Sequence, residues 1–218
     1  MKIGYRPEID GLRGIAVIAV IFYHAQITIF GQNLFKGGFI GVDIFFVISG
    51  YLIASLILKE LKSTGKFSFA YFYERRARRL LPALFVVILA SLPFAWVYLL
   101  PIPFKDFANS ILSSIAFGSN FYFYYSGTLY GAESGLLKPF LHTWSLSVEE
   151  QFYLFFPIFL IICFRFFKRY LTHIIVVGFF ISLGIAEWGS HNYPSLNFYI
   201  LPTRGWELLA GIILAKLE

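Results

Sequence analysis

Residues 37–61 read GGFIGVDIFFVISGYLIASLILKEL, and residues 73–100 read YERRARRLLPALFVVILASLPFAWVYLL. From Phe39 to Leu61 and from Leu80 to Leu100 the side chains are mostly apolar. Runs of roughly 17 to 25 such residues are the length that crosses a hydrocarbon core of about 30 Å as a helix. The pair therefore predicts an all-α, polytopic transmembrane helical bundle. The whole chain agrees: of 218 residues, 58% are hydrophobic and only 14% charged, where soluble domains average about 25% charged. A water-soluble globule is excluded, and so is disorder, whose signature is low hydrophobicity with high net charge.

Working outward, Leu12 to Phe30, Val148 to Phe167 and Leu171 to Trp188 read as further spans. A sixth starts near Arg204 and offers about 13 residues, roughly 20 Å of helix. The first run is no cleavable signal peptide, because no small-residue cleavage site follows it and Tyr23, His24 and Gln26 interrupt it. The lone cysteine, Cys163, lies in an apolar run, so neither an internal disulfide nor a cysteine-based metal site is available. No internal repeat, low-complexity segment or soluble domain is evident.

The stretch 104–130 mixes Phe and Ile with Asn109, Ser110, Ser113, Ser114 and Asn120, and charge decides how it sits. If it does not span, then Lys2, Arg6, Arg13, the segment Lys59 to Arg79, Arg165 to Arg169 and Lys216 share one side. That side holds 14 of the 18 basic residues, as the positive-inside tendency requires of a cytoplasmic face. We therefore expect a re-entrant or interfacial segment, about six spanning segments and a cytoplasmic N-terminus. The net charge of +6 points to lipid headgroups or an anionic substrate at the membrane face and not to nucleic acid, since the basic residues alternate with spans.

Ionisable groups inside spans are costly and need a partner, a water path or a function. His24 lies eleven residues after Arg13, about 16 Å along one helix, which puts it deep in or beyond the bilayer middle. It is either a packing histidine or a proton-transfer group. Asp43 is either a first-turn acid favoured by the helix dipole or a residue that orients His24 or its substrate. Gly37, Gly38, Gly41 and Gly50 allow the first two helices to pack closely. Arg75, Arg76, Arg78 and Arg79 form a juxtamembrane loop that is either a topology anchor or a forked phosphate site of the kind a nucleotide-bearing cofactor such as coenzyme A would use. The nearby glycines form neither a P-loop nor a dinucleotide fingerprint. Ser147 and Glu150 have capping-box spacing, which leaves His142 and Glu149 free. Arg204 and Glu207 share a helix face and can pair. His173 and His191 receive no role. A transporter lined by His24, Asp43 and Glu149 would be favoured by inverted repeats, and none is seen.

Five elements in order resemble acyltransferase family 3, the integral-membrane O-acyltransferases that include bacterial O-antigen and peptidoglycan O-acetylases. They are YRPEIDGLRGIAVIAVIFYHA with Arg13 and His24, GVDIFFVISGYLI, RRARRLLPA, HTWSLSVEEQFYL, and PTRGWELLAG with Arg204, Glu207 and Gly211. The resemblance covers nearly the whole chain. It implies transfer of an acetyl group from acetyl-CoA, with no metal, to a hydroxyl of a cell-surface glycan or lipid-linked saccharide such as O-antigen or lipopolysaccharide. The setting it implies is the bacterial inner (plasma) membrane.

On these residues the resemblance makes His24 and Arg13 the essential pair and Arg75, Arg76, Arg78 and Arg79 the acetyl-CoA-binding loop. Glu149 and Glu150 belong to a third functional segment. Family members typically run to about ten spans. The expectation is therefore that residues 1–218 are the N-terminal part of a membrane acyltransferase domain. Alone they would be inactive, and a separate chain supplying the missing helices would be a partner.

Overall fold

The computed structural model describes residues 6–26, 28–29, 32–33, 35–129, 135 and 138–218; Lys2 and Tyr130 lie outside them. Nine helices follow one another among these residues: α1 (Pro7–His24), α2 (Ile40–Thr64), α3 (Phe69–Tyr98), α4 (Pro101–Ile115), α5 (Ser119–Thr128), α6 (Thr143–Phe166), α7 (Leu171–Asn192), α8 (Pro194–Tyr199) and α9 (Leu201–Leu217). Two short strands, β1 (Thr28–Ile29) and β2 (Gln32–Asn33), pair antiparallel between α1 and α2. By length and composition α2, α3, α6 and α7 with its preceding turn are able to cross a membrane. α1 and α9 complete the bundle as shorter members.

Local chemistry sets the boundaries. Pro7 starts α1, where its missing N–H costs nothing, and Glu8 and Asp10 suit the positive end of the helix dipole. The expected run to Phe30 ends six residues early. Gln26 turns to a left-handed φ of 49°, and the next described residues enter the β1–β2 ladder, so His24 closes the helix and is not buried in mid-span. α2 ends on Gly65, whose φ of 67° suits a residue without Cβ, and its N–H bonds the Leu61 carbonyl.

The arginine segment, expected as a loop, is the N-terminal part of α3. Ser68 caps that helix by accepting from the Tyr71 N–H, and Ala, Arg and Leu, all good helix formers, follow up to Pro82. Within the membrane, Pro82 and Pro93 remain inside the helix.

Up to Leu129, the last residue described there, the stretch expected to be re-entrant or interfacial folds as two short helices. α4 and α5 are 15 and 10 residues long, about 22 and 15 Å, and neither reaches across about 30 Å. Between them Phe117 takes a left-handed φ of 52° and the Gly118 N–H bonds the Ser113 carbonyl. Helix direction tests the same point independently. α1 and α2 are antiparallel, because Gly38 meets Ala19 and Tyr23 while Gly41 meets Ala16 and Val20. α2 and α9 are parallel, because Asp43 in the first turn of α2 meets Arg204 in the first turn of α9, while Lys62 near the end of α2 lies close enough to Lys216 near the end of α9 for their charges to interact; between these ends Gly50 lies against the Leu208 carbonyl and Gly211 against the Val47 carbonyl. A parallel α2 and α9 require an odd number of crossings between them. α3, α6 and α7 make three, so α4 and α5 together must return to the side they came from.

The core lies around α2, α6 and α9, where Phe46, Ala54, Ile57, Val148, Leu160, Leu208 and Ile212 are buried. Outward faces are apolar as well: Val86, Leu89, Phe94, Phe155 and Phe180 are exposed, which suits lipid contact. In lipid the hydrophobic effect no longer drives helices together, and close packing of small residues takes over. The glycine contacts between α1 and α2 and between α2 and α9 are that packing. Gly50 faces α9 and not α1, while nothing approaches Gly37.

Candidate active site

α1 presents Arg13 and His24 on one face, since eleven residues make about three turns. Arg13 is partly exposed and has no side-chain partner among the described residues. His24 is exposed, and its Nδ1 lies 2.9 Å from the Val20 carbonyl oxygen. A carbonyl only accepts, so Nδ1 carries the proton and donates it. In the neutral ring this tautomer leaves the lone pair on Nε2, the atom that would act as a general base. His142, immediately before α6, lies close enough to His24 for their charges to interact. Desolvation holds the His142 imidazole below its ordinary range; a hydrogen bond with the Pro139 backbone opposes this, and the like charge of His24 adds to it.

Asp43, in the first turn of α2, pairs with Arg204 at 3.3 Å and not with His24. Arg204 also holds Glu207, three residues on, at 2.9 Å as the spacing predicts. Glu207 is fully buried, with one carboxylate oxygen unpartnered. The guanidinium lies beside the Trp144 and Phe198 rings, at 5.7 and 5.1 Å.

About two turns further along α6, a second cluster joins three helices. Glu149 accepts from Ser49 Oγ of α2 at 2.5 Å and from the Tyr153 hydroxyl one turn on. Glu150 accepts from Arg76 of α3 at 2.9 Å. Arg76 stands 3.8 Å from Glu149 as well and 3.5 Å over the Tyr153 ring. The other three arginines point elsewhere. Arg75 stacks on Tyr71 at 4.2 Å, Arg78 pairs with Glu74 at 2.7 Å on the surface, and Arg79 is exposed without a side-chain partner among the described residues.

The capping box does not form. α6 begins at Thr143, four residues before Ser147, and the Ser147 hydroxyl instead meets the Ser119 hydroxyl at 2.8 Å. S-x-x-E spacing recurs inside any helix, so it marks an N-terminus only where a helix actually starts. Sequence reasoning also missed Ser49 and Tyr153 as partners of Glu149. Tyr153 had a signal, the i,i+4 spacing from Glu149. Ser49 had none, because its contact spans 100 positions.

A membrane bundle with a histidine and an arginine on one face of its first helix and charged clusters between its helices is the frame of a membrane-embedded group-transfer domain. The family model described as "Acyltransferase domain" matches residues 6–218, and the chain belongs to that family. Among its relatives is the peptidoglycan O-acetyltransferase OatA of Listeria monocytogenes, 39% identical over 97% of this chain and 34% of the relative. A putative O-acetyltransferase of Staphylococcus aureus is 39% identical over 99% of this chain and 35% of its own length. The putative peptidoglycan O-acetyltransferase YrhL of Bacillus subtilis is 37% identical over 97% and 33%. The chain thus spans about a third of the length of the curated relatives it matches. No solved structure matches it.

Proposed function

We propose that the chain carries the membrane-embedded transfer site of an O-acetyltransferase, with acetyl-CoA as donor and a hydroxyl of a cell-surface glycan as acceptor. What supports this most is the His24 imidazole, with Nδ1–H on the Val20 carbonyl and Nε2 without a hydrogen-bond partner among the described residues. In the step envisaged, Nε2 takes the proton from the acceptor hydroxyl as its oxygen bonds to the thioester carbonyl carbon. The carbon–sulfur bond breaks and the thiolate of CoA takes that proton as it leaves. Arginines near the start of α3 supply the charge that CoA phosphates need. Names of the Listeria and Bacillus relatives specify peptidoglycan, which favours peptidoglycan over O-antigen or lipopolysaccharide as the glycan here. Membrane vesicles containing the protein together with a separate chain that supplies the missing helices, given acetyl-labelled acetyl-CoA and peptidoglycan, should deposit base-labile label on the glycan. Label no higher than in vesicles without the protein overturns the proposal.

Orientation belongs to the same proposal: N-terminus cytoplasmic in the bacterial inner (plasma) membrane, with donor and acceptor arriving from opposite sides. Its support is the non-crossing α4–α5 unit together with the basic residues, which then gather on one face. Cysteines introduced at Ser63 or Lys168, in a Cys163→Ser background, should both be shielded from an impermeant thiol reagent outside intact cells. Labelling at 168 but not at 63 would require residues 104–130 to cross.

A further inference from the structure

The arginine run of α3 is not a uniform patch. At about 100° per residue, Arg78, Arg75 and Arg79 fall within an arc of roughly 100°, and Arg76 lies beyond it on the side toward α6. Exposure follows the same division. Arg78 and Glu74 are 78% and 53% exposed, and a surface pair of that kind holds its partners weakly. Arg75 rests on an exposed Tyr71 ring, and Arg79 is exposed without a side-chain partner among the described residues. These three can turn to an arriving phosphate.

Arg76 is only 20% exposed and its partner Glu150 12%. Its Nε and Nη2 both reach one Glu150 oxygen, at 3.3 and 2.9 Å. Its flat face covers the buried Tyr153 ring, whose hydroxyl donates to Glu149. Withdrawing Arg76 to bind a phosphate would strand two carboxylates in an apolar setting, a large penalty. Arg76 also ties α3 to the same turns of α6 whose N-terminal end carries His142 opposite His24. From Glu149 back to His142 is seven residues, about 10 Å of one continuous helix.

We infer that Arg76 is a positioning residue of the transfer site, which fixes the Glu149–Glu150 segment of α6, and is not a ligand of the donor phosphates. This rests on the acetyl-CoA proposal above. A planar fork stacked on a ring is what lysine cannot reproduce, so Arg76→Lys keeps the charge and loses the geometry.

The test compares four variants of the protein, in lipid nanodiscs with the separate chain that supplies the missing helices: Arg76→Lys, the triple change of Arg75, Arg78 and Arg79 to Gln, Arg76→Glu alone, and the charge exchange Arg76→Glu with Glu150→Arg. Acetyl-CoA affinity, transfer kinetics and thermal melting are measured on each. The triple variant should bind acetyl-CoA at least about tenfold more weakly, as expected when charge-assisted bonds are lost. Arg76→Lys should bind it within about twofold of the parent and lose up to about 10²-fold in kcat at unchanged KM, the signature of displaced groups rather than lost binding. The exchange should recover melting temperature and part of kcat relative to Arg76→Glu alone. Arg76→Lys weakening acetyl-CoA binding as much as the triple variant overturns the inference, and so does an exchange that recovers neither property. If the parent protein binds no acetyl-CoA, the donor proposal fails, and recovery of melting in the exchange still decides whether Arg76 is the clamp.

Discussion

Replacing His24 by alanine is expected to lower acetyl transfer by about 10² to 10⁴-fold, the range for loss of a general base. Membrane insertion and folding should be unchanged. His24 is the last residue of α1, it is exposed, and its one side-chain hydrogen bond among the described residues goes to the carbonyl of its own turn. Alanine keeps the helix and vacates no packed space, so a drop in activity without a drop in yield isolates the proton acceptor. A change at Tyr23, whose Cβ lies against Gly38 of α2, would confuse the two. The measurement is label transferred from acetyl-CoA to glycan, with membrane-inserted protein quantified in the same vesicles. A His24→Ala protein that inserts normally and transfers at the parental rate would make His24 a helix-end residue without chemistry, and the proposed mechanism would fall.

What the sequence made legible was whatever depends on one segment at a time. Phe39–Leu61 and Leu171–Trp188 correspond closely to α2 and α7 because a long apolar run has one outcome in lipid, a hydrogen-bonded helix. Residues 104–130 resolved correctly because counting charges on each side uses the whole chain at once. Arg204 and Glu207 meet because three residues is a helical spacing. The end of α1 was misjudged, since composition through Gln26 and Thr28 gives no warning of a left-handed φ. Arg75 to Arg79 read as a loop because charge at a membrane edge says nothing about backbone.

The partners of Asp43 and Glu149 were out of reach for a different reason: Asp43 pairs with Arg204 across 161 positions and Glu149 with Ser49 across 100. Such contacts follow from which helices are neighbours. Gly50 could be read as a site of close approach, yet nothing local told whether α1 or α9 would fill it.

Gly50→Ala and Gly211→Ala are each expected to destabilise the protein by at least about 3 kcal/mol, the upper end of ordinary overpacking. In a helix interior, Gly to Ala would otherwise help by roughly 1 kcal/mol, so the sign itself is informative. At Gly50 the added Cβ would overlap the carbonyl of Leu208, and at Gly211 the carbonyl of Val47 and the amide of Tyr51. Backbone cannot rotate out of the way as a side-chain tip does, so α2 and α9 must separate along their length.

The damage should reach the polar residues too. Asp43 lies seven residues before Gly50 and Arg204 seven before Gly211, about 10 Å up the same parallel interface on both helices. A spread there parts Arg204 from Asp43. Gly184 of α7, with nothing within 4 Å of its added Cβ, is the control: Gly184→Ala should melt at or slightly above the parental temperature. Thermal melting in mild detergent compares the three. If Gly50→Ala matches Gly184→Ala, the two helices do not pack through these glycines, and the close backbone approach of α2 and α9 loses its footing.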